Sequence, residues 1–234
     1  MEGGFRYAQF CSLARVAEIV GERWTLLILR ELALGGRRFS DLRRALPGVS
    51  TSVLSARLAR LEERGLVAQR RLPPPAPAAL YELGANGRAF LPAMRELARF
   101  GLRFLDAPLP GDHVEPGWVR LACMIFARRE PTPTRSFEIA VPDGEQELVL
   151  QVAGGPGGTA LREVPGPVDA RIRARSPLTL LGLASGALSH EAALASGAIE
   201  AEGDLDALAE FPALFEMSAS RENPAPEGAG DPNP

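Results

Sequence analysis

The stretch GVSTSVLSARLARLEERGLVAQRR, residues 48–71, decides how the first half of the chain folds. Small hydroxyl residues crowd its start, and a leucine stripe follows. Gly65 then ends the helical period before a short run closing on Arg70 and Arg71. Ser50 or Thr51 is suited to cap a helix that continues to Arg64, because a side-chain oxygen there accepts from an otherwise unpaired N–H of the first turn. Leu54, Leu58 and Leu61 share one stripe and must face a core. At about 100° per residue, Ser52, Ala56, Ala59, Arg60 and Glu63 then point outward.

Working outward from this helix, apolar residues recur at helical spacing on both sides. Cys11 to Val20 predicts one helix, with Leu13, Val16, Ala17 and Val20 on one face. Arg23 to Leu34 predicts a second, with Trp24, Leu27, Ile28 and Glu31 aligned. Ser40 can cap a short helix, Asp41 to Leu46, which Pro47 and Gly48 terminate. Downstream, LVAQRRL and ALYEL read as two strands of a hairpin whose tip is stiffened by PPPAPA. Gly87 to Leu105 returns to helix, with Phe90, Met94, Leu97, Phe100 and Phe104 on apolar faces. Within this order, Phe39 to Arg64 is a helix-turn-helix.

The 234 residues suffice for two modest domains with separate cores. Charge divides them. Residues 1–105 hold 17 arginines against 9 carboxylates, a net of +8, whereas residues 106–234 hold 9 against 20, a net of −11. An anionic partner is therefore expected for the first half alone. The break falls in DAPLPGDHVEPG, residues 106–117. The expected organisation is a domain over 1–106, a linker over 107–116, a second domain over 117–217 and a disordered tail over 218–234. Every basic side chain is arginine, so lysine Schiff-base chemistry and a Walker phosphate loop are excluded. No apolar run approaches the ~20 residues of a membrane span. The start, MEGGFRYAQFCSLARV, lacks a signal-peptide pattern, and a cytoplasmic location is expected.

Ser50, Thr51, Ser52, Ser55 and Ala56 are small enough for the helix to enter a DNA major groove, where short hydroxyls reach phosphates and bases. Arg37, Arg38, Arg43 and Arg44 flank the preceding helix, Arg60 lies on the outward side, and Arg70 and Arg71 stand at the hairpin entry as phosphate clamps. The plain alternative is that the hydroxyls only cap a helix and the arginines only solvate its face. The hairpin and the +8 balance favour double-stranded DNA.

CSLARVAEIVGERWTLLILREL, GGRRFSDLRRALPGVSTSVLSARLARLEERGLV and YELGANGRAFLPAMRELARF together resemble the HxlR family of winged-helix transcriptional regulators, over about residues 8–105. The resemblance implies a homodimer on operator DNA, with recognition helices in successive major grooves and the hairpins as wings. It also implies dimer contacts from the Leu13–Val20 face and from Phe90, Met94, Leu97 and Phe104. In some relatives a cysteine at the position of Cys11 senses oxidants; a thiol at a helix start near Arg6 and Arg15 is suited to that, although a plain buried cysteine is the commoner case. The departures are a proline-rich wing and the LGANGRAF segment around Gly87, where the family often has threonine.

In the second half, Phe137–Val141, Glu147–Val152 and Val168–Ala174 read as strands, and Ser176–Ala184, His190–Ala195 and Leu205–Phe215 as helices. His113 and His190 stand apart with no neighbouring ligand pattern, so no metal or other cofactor is expected. Ser189-His190-Glu191 cannot act as a triad, since consecutive helical residues diverge, and no enzymatic activity is expected. AGGPGGTA reads as a turn. The order from VDARIRA to FPALF resembles the C-terminal part of a sterol carrier protein domain, over about residues 117–217. That resemblance implies an apolar tunnel for a hydrophobic ligand, with Leu180, Leu181, Leu183, Leu188, Leu194, Leu208, Phe211 and Phe215 as lining. A solidly packed dimerisation module is the equal alternative. The expected fold class is α+β: an N-terminal winged helix-turn-helix domain plus a C-terminal α/β sterol-carrier-like domain. The expected function is a DNA-binding regulator, in the form of a repressor. The rival is a lipid carrier whose basic half docks on an anionic surface, and a Cys11 redox switch is a third reading.

Overall fold

Helix α1 (Ser12–Val20) and helix α2 (Thr25–Ala33) open the computed structural model, which describes residues 6–71, 79–105, 108–109 and 111–217. A two-residue strand, β1 (Arg37–Arg38), leads into α3 (Phe39–Ala45) and, after Pro47 and Gly48, into α4 (Thr51–Glu63). The hairpin β2 (Val67–Arg71) and β3 (Ala79–Leu83) follows, then α5 (Ala85–Gly101). The chain divides within α5, between Leu97 and Ala98, into two compact units. The proline-rich hairpin tip, residues 106, 107 and 110 around the expected linker, and the expected disordered tail lie outside the described residues.

The first unit is built as the leucine stripe requires. Leu54, Leu58 and Leu61 of α4 are at most 2% exposed and join Ile28, Leu29 and Leu32 of α2 and Leu42 and Leu46 of the α3 region in one core. Full burial of each such side chain is worth about 1.5–3 kcal/mol. The strands pair in the order β1-β3-β2, with Gln69 opposite Tyr81 and Arg70 opposite Leu80 in the antiparallel hairpin. Strand β1 went unread in the sequence because two residues carry no periodicity. Backbone contact replaces side-chain packing where the hairpin meets α5. A Cβ on Gly87 would stand 2.1 Å from the Leu66 carbonyl oxygen, and one on Gly84 2.2 Å from that of Gly65. The absence of side chains there lets α5 lie directly on the hairpin base.

In the second unit, α6 (Gly117–Phe126) precedes β4 (Ser136–Asp143), β5 (Gln146–Ala153), β6 (Ala160–Leu161) and β7 (Ala170–Ala174). Helices α7 (Pro177–Ser185) and α8 (His190–Ala195), β8 (Ile199–Gly203) and a 3-10 segment, Leu205–Leu214, complete it. The sheet order is β6-β5-β4-β7-β8; β4 and β7 run parallel and the other neighbours antiparallel. The clean alternation of VDARIRA holds in β7, where Ala170, Ile172 and Ala174 are buried and Arg171 and Arg173 exposed. Asp169 fastens the entry of β7 to β4 by accepting from the backbone N–H of Ser136 at 2.7 Å and from its hydroxyl at 2.8 Å. Those bonds hold its carboxyl below the usual aspartate range.

Other features of the second unit differ from the sequence reading. Helix α6 was not anticipated, although Val119, Cys123 and Phe126 bury one face of it at helical spacing. Strand β8 is not among the expected strands. The last element winds as 3-10 turns: Leu208, Phe211 and Leu214 are buried at a spacing of three, which the 3-10 helix places on one edge and the α-helix does not. Phe211 stands edge-on to Phe137 at 5.1 Å and to Phe215 at 5.3 Å, closing that core.

The Gly87 contact yields a stability prediction. Gly87→Ala places a methyl group against backbone that cannot rotate away, and should destabilise the first unit by about 1–3 kcal/mol. Thermal unfolding followed by circular dichroism checks it; Ala at Gly101, where a Cβ meets nothing within 4 Å, is the control expected to leave the melting temperature nearly unchanged.

Candidate nucleic-acid interface

The first turn of α4 carries the densest group of predicted contact residues. Ser50 is the N-cap: its hydroxyl accepts from the Val53 backbone N–H at 3.3 Å and lies 3.2 Å from the Ser52 hydroxyl. Its oxygen is therefore partly committed to the helix start, a role worth ~1 kcal/mol. Thr51, Ser52, Ser55, Ala56 and Ala59 are all exposed, so the side of α4 away from the leucine stripe is small and uncharged through these positions, while exposed Glu63 lies on the same side in the last turn. A helix start of this kind admits close approach of another surface.

The predicted arginines fall into two groups. Arg38, Arg43 and Arg71 are exposed and make no ion pair among the described residues. Arg38 and Arg43 bracket α3, and Arg71 ends β2. The others have partners within the unit. Arg37 lies 3.8 Å from the buried carboxylate of Glu31, which Arg30 also pairs at 2.8 Å. Arg70 pairs with Glu82 across the hairpin at 2.6 Å, and that carboxylate raises the Arg70 pKa. Arg60 pairs with Glu22 at 2.8 Å. Arg44 sits 3.7 Å from Asp41, but its side chain is 81% exposed, so the pair is weak and the charge is available to solvent.

Sequence reading missed Arg57 and its partner Glu22. Arg57 pairs with the Glu22 carboxylate, and burial together with neighbouring Arg60 lowers its pKa. The signal was present: Arg57, Arg60 and Arg64 recur at helical spacing on a flank of α4 that is neither the leucine stripe nor the hydroxyl face.

Other predicted residues are distributed as follows. Cys11 is exposed at the N-cap of α1, whereas Cys123 is buried in α6 and its thiol is pushed up to about 12 by desolvation. Phe90 and Met94 pack against the core of their own unit, while Leu13, Val16, Leu97 and Phe104 are exposed. In the second unit a cleft of about 230 Å³ is lined by Leu183, Leu188, Leu208 and Phe211, with Ile172 and Ile199, and by Ser189, His190 and Glu191. Leu180 and Phe215 are instead buried in the core, and Leu181 and Leu194 pack against it; none of the four lines the cleft. Among the described residues no three His, Cys, Asp or Glu side chains group to hold a metal, and no helix is long and apolar enough to cross a membrane.

Comparison with known proteins bears on this first unit. Residues 19–108 match the family model of the HxlR-like helix-turn-helix. An HTH-type transcriptional regulator of Synechocystis sp. is 34% identical over 102 residues, which are 44% of this chain and 76% of the relative. One from Mycobacterium tuberculosis is 38% identical over 122 residues, 48% of this chain and 75% of the relative. YvaP of Bacillus subtilis is 34% identical over 92 residues, 39% of this chain and 85% of YvaP. With its helix-turn-helix and hairpin in place and relatives covered over three quarters of their length, the chain belongs to the HxlR-like helix-turn-helix family.

Proposed function

We propose that this protein is a DNA-binding transcriptional regulator acting as a repressor in the cytoplasm, with α4 entering the major groove of operator DNA. The observation that carries the reading is the exposed face of Thr51, Ser52, Ser55 and Ala56, in a unit whose Arg38, Arg43 and Arg71 are exposed and make no ion pair among the described residues. Short side chains let the helix approach base edges, and cations on either side are suited to bridge phosphates and fix its register. The relatives' names, all of HTH-type transcriptional regulators, support the same reading. Arg60 and Arg70, both held by carboxylates, have a smaller part in it.

A homodimer completes the proposal. Leu13 on α1 is 76% exposed, and Phe104, in the 3-10 turn Leu102–Phe104 that follows α5, is 70% exposed; the family resemblance draws dimer contacts from both. Two copies present two α4 helices to successive turns of the duplex, which one copy on a half-site cannot match in affinity. For the second unit the proposal is a sterol-carrier-like module whose cleft takes the apolar part of a small effector, since Ile172, Leu183, Leu208 and Phe211 form its walls. Occupancy that changes the spacing of the two α4 helices would change operator affinity, and by linkage DNA would change affinity for the effector. An exposed Cys11 at a helix start favours a thiol switch as a second reading.

Two experiments follow. In fluorescence anisotropy with a duplex selected from genomic DNA, Arg38→Ala and Arg43→Ala should each weaken binding and make the slope of log K against log salt shallower by about 0.9. Equal binding of the wild type to any anionic surface, anionic vesicles included, would instead support a lipid carrier that docks by charge. A thiol reagent added to native protein should titrate one cysteine, Cys11, and a second only after unfolding releases Cys123. For a thiol switch, Cys11→Ser should abolish oxidant-dependent release of DNA.

A further inference from the structure

Glu22 lies in the turn between α1 and α2, and the basic flank of α4 converges on it. Arg60 donates through Nη1 to Oε1 at 2.8 Å and to Oε2 at 3.2 Å, and Arg57 pairs with the same carboxylate. One turn further, Arg64 donates to the Glu18 backbone carbonyl at 3.0 Å. These three arginines lie on a flank of α4 separate from its hydroxyl face, by the helical rotation of about 100° per residue. The same turn also braces the approach to α4. Trp24 adopts a left-handed backbone, φ 77°, rare for a bulky residue and sustained only where the surroundings fix it. Its ring reaches within 3.8 Å of where a Cβ on Gly48 would stand, against the turn that leads to Ser50. The Arg23 guanidinium covers that ring at 5.0 Å from its centroid.

We propose that Glu22 is a specificity-determining residue, which seats α4 through Arg57 and Arg60 and withholds those two charges from DNA phosphates. The proposal rests on the reading of α4 as the helix that enters DNA. Phosphate contacts strengthen binding to every sequence alike, whereas base contacts discriminate. Two guanidinium groups freed at the edge of the groove would raise affinity for all DNA and blunt the preference for one site. With both held by one carboxylate, discrimination falls to the hydroxyl face and to the fixed angle of the helix. Arg57 is only 17% exposed, so it reaches phosphate only if it leaves Glu22; Arg60, at 40%, is nearer release.

The test uses the full-length protein, a duplex that the wild type selects from a random library, and a scrambled duplex of the same length. Affinity for both is measured by anisotropy across a potassium chloride series, with melting curves to verify folding. Glu22→Gln should bind the scrambled duplex more tightly and steepen the salt slope by about 1–2, roughly 0.9 for each guanidinium released. The ratio of selected to scrambled affinity should fall about tenfold or more, within the range that separates specific from non-specific binding. Glu22→Asp, which keeps the charge, should recover much of that ratio. Replacing both Arg57 and Arg60 by Gln should lower the ratio while leaving the salt slope at the wild-type value, and this variant decides the matter alone if Glu22→Gln does not fold. A folded Glu22→Gln with unchanged slope and ratio would overturn the proposal. So would a double arginine variant whose slope is shallower by about 2, since those side chains would then already lie on phosphates. A wild type with no sequence preference would remove the DNA reading itself, a distinct result.

Discussion

Leu54, Leu58 and Leu61 take one side of α4 out of water and bind it to the leucines and isoleucine of α2. The rest of the first unit depends on that burial. With the apolar side fixed, the hydroxyl face can only point outward, and the arginine flank can only meet the α1–α2 turn. Each buried leucine is worth a few kcal/mol, several times the strength of an exposed ion pair. The leucines therefore set where α4 sits, and charge refines the angle at which it sits. Glycine does comparable work at the other end of the unit, where α5 rests on the carbonyls of Gly65 and Leu66 because Gly84 and Gly87 carry no side chain.

Most of this was legible in the sequence where a single physical rule governs. The leucine period located α4, Ser50 or Thr51 its start, the short strand-like runs on either side of PPPAPA located β2 and β3, and alternation located β7. Legibility failed where the rule needs a partner from elsewhere in the chain. Arg60 faces outward by helical projection, yet its charge is taken by Glu22, 38 residues away. Arg70 is held across the hairpin by Glu82 in the same manner. Phe90 and Met94 lie on an apolar face, but only packing separates them, turned to their own core, from exposed Leu97 and Phe104. In the second unit, the i, i+4, i+7 spacing of Val119, Cys123 and Phe126 in a nearly all-apolar run was passed over, and the three-residue spacing of Leu208, Phe211 and Leu214 is easily taken for part of an α-helical stripe.

The charge balance has a more specific meaning once the pairs are known. A net of +8 over residues 1–105 describes a basic half, but several of its arginines face carboxylates of the same unit. Among the arginines expected to contact DNA, the charge left available to an anionic partner lies at Arg38, Arg43, Arg44 and Arg71, around α3 and the end of β2; Arg6, Arg23, Arg88 and Arg103 are exposed as well. This arrangement suits a protein that needs phosphate contacts for register and a neutral helix face for reading. A surface evolved only for adhesion to anions has no evident use for carboxylates that silence its own cations.

The central claim, that α4 reads DNA from a paired pair of protomers, is tested most directly by selecting duplexes from a random library with the purified full-length protein and sequencing the bound fraction. The account predicts one enriched, inverted-repeat motif whose half-sites lie about 10 base pairs apart or a multiple of it. Enrichment of no motif, with all sequences retained equally, would contradict it.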